Sequence, residues 1–127
     1  MRLWNGWGNE NSDLLMELNS GLRNLLQALV GPATPLGEAT LEQVMAKVPV
    51  SKAPAHPLIS TDPETRVRHA RGQSLPDWLA MHSGDVDSFP DAVAVPENSA
   101  EVRELLCYAR DNDIDVIPYG GGTSVVG

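Results

Sequence analysis

The sequence is short of cysteine, aromatic residues, basic clusters and long apolar runs, and each shortage narrows what the chain can be. A single cysteine, Cys107, stands among 127 residues. No internal disulfide can staple the fold, which fits a reducing compartment. Its place between Leu106 and Tyr108 predicts a small buried thiol late in a helix. A reactive thiol would need a nearby base or a helix N-terminus. Lys and Arg number 9 against 17 Asp and Glu, a formal net charge of −8, and no Lys/Arg run occurs. A surface that tracks nucleic-acid phosphates needs clustered positive charge, so no nucleic-acid partner is expected. No stretch approaches the ~20 apolar residues of a membrane span, so no integral membrane segment is expected either. Met1–Glu10 holds two Trp and two Gly where a secretory signal carries its apolar core. These readings together predict a soluble, cytoplasmic protein. The chain ends Val125–Val126–Gly127 with no polar finish, which reads as a piece of something longer.

What is present divides at Pro90. Residues 1–89 read as a helical N-terminal extension and linker. Trp4 and Trp7 anchor an irregular arm over Met1–Asn9, expected to pack onto the rest of the molecule. A leucine stripe (Leu15, Leu18, Leu22, Leu25, Leu26, Leu29) predicts a helix from Ser12, capped by Ser12 or Asp13 and stopped by Gly31–Pro32. Asn19–Ser20–Gly21 interrupts it, leaving two shorter helices as the alternative. Thr40 with Gln43 three residues on has capping-box spacing. It opens a second helix with Leu41, Val44, Met45 and Val48 on its apolar face and Pro49 as its end. The prolines of Ser51–Pro63 forbid regular helix, and His56 reads as simply exposed. Arg66, Arg68, His69 and Arg71 either meet an anion or form a solvated, partly helical stretch paired with nearby acids; the second reading is preferred.

Beyond Pro90 the pattern sharpens. Ala92–Val95 is a short apolar run between prolines, the mark of a buried strand. Ser99 then caps a helix with Val102, Leu105, Leu106 and Ala109 on one face. After Asp111–Asn112–Asp113 a second strand is predicted over Ile114–Ile117, completing a βαβ crossover of about 28 residues. At its end stands Tyr119–Gly120–Gly121–Gly122–Thr123–Ser124. Three glycines let the backbone turn tightly and approach a ligand with no Cβ in the way. Successive N–H groups in such a turn form an anion-binding nest, and two hydroxyls follow. A phosphate-binding loop is the physical reading. It is neither a Walker loop, lacking Gly-Lys-Ser/Thr, nor a G-x-G-x-x-G turn opening a helix.

The parts Pro90–Pro96, Ser99–Val102 and Ile117–Gly127, taken at their separations, resemble the start of the FAD-binding domain of the vanillyl-alcohol-oxidase-type, FAD-linked oxidases. Arg2–Gly8 and His69–Gly72 are similar to the alkyldihydroxyacetonephosphate-synthase-like branch and its bacterial members. The resemblance implies an α+β architecture: a helical arm followed by the first βαβ unit of a PCMH-type FAD domain occupying residues 90–127. It implies that Pro118, Tyr119, Gly120, Gly121, Gly122, Thr123, Ser124 and Val125 follow the FAD pyrophosphate. Thr123 stands where covalently flavinylated relatives carry His, which implies non-covalent FAD. The catalytic acid and base groups of the family map beyond Gly127, so no residue of this chain is assigned as catalytic. The parent is expected to be an enzyme acting on a small-molecule substrate, with a homodimer as its expected assembly. It is an oxidase or dehydrogenase of a 2-hydroxy acid or alcohol, or an alkylglycerone-phosphate-synthase-like enzyme. The competing readings are a non-catalytic interaction fragment and a phosphate-binding module without flavin.

Overall fold

The computed structural model describes residues 3–6, 8–9 and 19–123. Five helices and one small sheet follow in the order α1 (Ser20–Val30), α2 (Leu41–Met45), β1 (Ile59–Ser60), α3 (Pro63–Arg68), α4 (Leu75–Ser83), β2 (Val93–Ala94) and α5 (Ser99–Asp111).

Side chains near each helix start explain why it begins where it does. Asn19 caps α1, its Oδ1 accepting the Leu22 N–H at 2.8 Å, and Gly31 closes the helix at φ 90°. The predicted start at Ser12, and the stripe as far as Leu18, lie outside the described residues. Of that stripe, Leu22, Leu25, Leu26 and Leu29 are all exposed, so α1 adds nothing to the core. The capping box of α2 is complete: Thr40 N–H donates to Gln43 Oε1 at 2.9 Å, and Gln43 N–H to Thr40 Oγ1 at 3.3 Å. Asp62 caps α3 with Pro63 at the first helical position, where a missing N–H costs nothing. Ser74 caps α4, and Gly84, left-handed at φ 72°, ends it. For α5 the cap is Asn98, one residue before the expected Ser99; its Oδ1 accepts the N–H groups of Ala100 and Glu101, both at 3.0 Å.

Among the described residues the main buried cluster lies upstream of Pro90. Val44, Val67, Met81 and Val86 are buried together, with Trp4, Leu41, Met45, Val48, Ala70 and Phe89 packed around them. The apolar face expected of α2 and the packing expected of Trp4 are both there; Trp7 is outside the described residues.

Two sequence expectations need correction. β2 pairs antiparallel with β1, Ile59 opposite Ala94 and Ser60 opposite Val93, whereas the sequence reading placed no strand among the linker prolines. The second strand of the βαβ unit is not formed. Residues 114–119 take no regular secondary structure, and Val116 and Ile117 are 55% and 85% exposed. A strand is stable only as part of a ladder, so apolar composition and β-propensity alone do not make one.

Candidate cofactor-binding loop

Residues 118–123 follow that irregular segment and lie against the end of α3 and the turn after it. The Gln73 N–H donates to the Thr123 carbonyl at 3.2 Å. The Tyr119 hydroxyl stands 3.4 Å from the carbonyls of both Arg68 and Arg71 and can donate to either. Its ring meets the His69 ring edge-on at a centroid distance of 4.8 Å, an arrangement that aromatic quadrupoles favour. His69 is itself fixed, its Nδ1 lying 2.7 Å from the Thr65 carbonyl. The loop therefore rests on the His69–Gln73 segment, about fifty residues upstream.

The three glycines are not equivalent. Gly122 has φ 65°, and a Cβ there would collide with the Tyr119 ring. Gly120 has no heavy atom near the place a Cβ would occupy, and Gly121 only the Thr123 methyl at 3.7 Å. At Gly120 no neighbouring side chain crowds the space beside the backbone. Pro118, Tyr119, Gly120, Gly121, Gly122 and Thr123 thus form one turn, while Ser124 and Val125 lie outside the described residues.

The basic residues upstream are engaged within the chain. Arg68 pairs with Glu64 at 2.8 Å. Arg71 reaches Asp87 at 2.8 Å and Asp77 at 3.8 Å. Both follow the preferred sequence reading. Arg66 does not: it is 2% exposed, and its Nε and a terminal nitrogen donate to the carbonyls of Pro90 at 2.6 Å and Pro49 at 2.7 Å. No sequence signal separated this buried arginine from its solvated neighbours, because its partners are backbone carbonyls distant in sequence. Further links bind the upstream segment to the region after Pro90. Lys52 N–H donates to Asp91 Oδ1 at 3.0 Å, and the Tyr108 hydroxyl to the Pro54 carbonyl at 2.5 Å.

His56 and Cys107 also depart from expectation. His56 is half-buried against the Tyr108 ring at 4.5 Å. Its Nδ1 accepts the Leu58 N–H at 3.2 Å, so Nε2 carries the proton that faces Glu104 at 3.4 Å. Cys107 is exposed, on the side of α5 away from its one buried residue, Ala109. Among the described residues no group of three or more His, Cys, Asp or Glu could hold a metal ion, and no helix is long and apolar enough to cross a membrane.

A family model described as an FAD binding domain matches residues 90–127, the stretch that ends in this loop. Residues 90–127 are thus similar to the opening of that FAD binding domain. Similarity to curated proteins extends further upstream. The alkyldihydroxyacetonephosphate synthase of Dictyostelium discoideum is 33% identical over 69 residues, 54% of this chain. That of Trypanosoma brucei brucei has the same identity over the same length, and that of Caenorhabditis elegans is 28% identical over 98 residues, 76% of this chain. The chain spans 11%, 11% and 16% of these relatives' lengths. Two solved structures of alkyldihydroxyacetonephosphate synthase match at TM-scores of 0.71 and 0.67, each at 23% identity. They take in 99% and 98% of this chain and 29% and 28% of their own. The fold of this chain is therefore similar to theirs on both sides of Pro90, including the upstream segment on which the glycine loop rests.

Proposed function

We propose that the glycine-rich turn Pro118–Val125 holds the pyrophosphate of a non-covalent FAD, and that the chain supplies this part of an FAD-dependent enzyme. One coincidence carries the reading: the match to an FAD binding domain takes in the turn in which the space beside Gly120 is open. The residues fit such a group. Backbone N–H groups of an exposed turn, with no Cβ at the open position Gly120, suit an anion without needing a net positive surface. Thr123 and Ser124 add hydroxyls. FAD supplies the redox chemistry in enzymes of this kind, and the protein's part is to bind and orient it.

Of the two parent reactions, we favour the alkylglycerone-phosphate-synthase-like one, exchange of an acyl for an alkyl group on an acylated dihydroxyacetone phosphate. The names of the curated relatives support it over oxidation of a 2-hydroxy acid. The division at residue 90 is then one of sequence pattern, with 1–89 as extension and 90–127 as the opening of the cofactor domain.

The test is the visible absorbance of purified protein expressed from the uninterrupted reading frame. A flavin spectrum that survives gel filtration is expected, with all flavin released into the supernatant on acid precipitation. Bulky substitutions at Gly120 and Gly121 should abolish flavin retention. A folded protein that stays colourless after incubation with FAD would refute the reading, and flavin left in the acid pellet would refute the non-covalent part of it.

A further inference from the structure

We propose that Tyr119 is a positioning residue: it seats the glycine-rich loop on the His69–Gln73 segment, and Gly122 is the glycine that makes room for it. Gly120 is thereby left as the open position presented to the ligand. The inference deepens the flavin reading and rests on it only for what the loop presents; the seat itself is a property of this chain.

Three observations carry it. First, the Tyr119 side chain, although 37% exposed, turns back onto its own loop instead of outward. Its ring fills the place where a Gly122 side chain would stand, while nothing fills the corresponding place at Gly120. A run of three glycines thus carries two separate demands: a left-handed, crowded position at Gly122 and an open face before it. Second, what Tyr119 rests on is rigid. The Ala70 N–H donates to the Val67 carbonyl at 3.1 Å, and Ala70 packs against the core in which Val67 is fully buried. The Arg71 side chain is held between Asp77 and Asp87. Third, the seat has a second point of attachment, the Gln73 N–H on the Thr123 carbonyl at 3.2 Å. Tyr119 and Gln73 grip opposite ends of the glycine run. A flexible glycine turn pays a large ordering entropy when it closes on a ligand, and a turn held at both ends has already lost much of it. The expected consequence is tighter binding with no contact between Tyr119 and the ligand.

The test uses the full-length protein and two readouts, exchange of the Gln73 amide without added FAD and the dissociation constant for FAD from flavin fluorescence. Tyr119→Ala should speed Gln73 exchange and weaken FAD binding at least tenfold. Tyr119→Phe keeps the ring on His69 and loses only the shared hydroxyl contact, so it should weaken FAD roughly threefold. Gly122→Ala should be severe in the wild type and clearly milder on the Tyr119→Ala background, because the ring it collides with is gone. Unchanged Gln73 protection in Tyr119→Ala, or an equal Gly122→Ala penalty in both backgrounds, would overturn the proposal. Gln73 exchange that responds to Tyr119→Ala in a protein that takes up no FAD would uphold the seat and sink the flavin reading instead.

Discussion

The two sides of Pro90 differ in opposite senses. Residues 90–127 match a family by sequence, yet Ala109 is their one buried apolar residue among those described, and Val95, Val102, Leu106, Val116 and Ile117 are exposed. Upstream, only the short stretches Arg2–Gly8 and His69–Gly72 carry a resemblance, yet Val44, Val67, Met81 and Val86 form the core. A recognisable pattern records what a ligand requires of a backbone; it does not record where the fold finds its stability. The less legible region supplies the packing and holds the legible one in place.

The sharpest way to break this comparison is to separate the two sides. A peptide of residues 90–127 should show no cooperative unfolding by circular dichroism, because a lone 13-residue helix with one buried residue is marginal in water. A cooperative transition in that peptide would reverse the assignment of dependence. A smaller effect is expected at the link between the sides. Arg66→Ala strands the Pro49 and Pro90 carbonyls and should cost about 3 kcal/mol in denaturant unfolding, since hydrogen bonds from a charged donor are among the stronger ones. A cost below about 1 kcal/mol, the ordinary range for a surface substitution, would show that this arginine is not what joins the two regions. The smallest effect concerns a cap. The Thr65 N–H and hydroxyl, at 2.8 and 2.9 Å, hold the Asp62 carboxyl below its ordinary value of 3.8. Because the folded value is depressed, this contribution is present above the unfolded value and is lost as pH falls through the folded one. Asp62→Ala should therefore lower stability slightly near neutral pH, as loss of a helix N-cap does. The difference from the wild type should vanish in strong acid; a difference independent of pH would remove the carboxylate from the explanation.

Local chemistry was legible, and distant pairing was not. The capping box of Thr40 and Gln43, the stop at Gly31 and the apolar face of α2 follow from residues within four positions of each other, and the structure has all three. The glycine loop stands out in the sequence because three glycines in a row act on the backbone directly. The pairing of Ile59–Ser60 with Val93–Ala94 escaped notice because a two-residue strand among prolines has no periodicity to read. The run at Ile114–Ile117 misled for the converse reason: its composition is that of a strand, but a strand is defined by a neighbour. His56 and Arg66 were misplaced alike, since each owes its burial to groups more than fifteen residues away. The partners of the loop, Arg68, Arg71 and Gln73, were equally invisible, as no motif links them to Tyr119.

The seat of the glycine loop also sets an order in time. Its carbonyl partners precede Tyr119 by 51 and 48 residues, so on a ribosome that makes the N-terminus first they emerge well before the loop does. The body built on Val44 and Val67 can collapse early, and each later contact then closes a loop against a surface already formed. On the flavin reading proposed above, cofactor capture becomes a late event in the life of the nascent chain, and a lesion in the core would first be felt as slow maturation of the holoprotein.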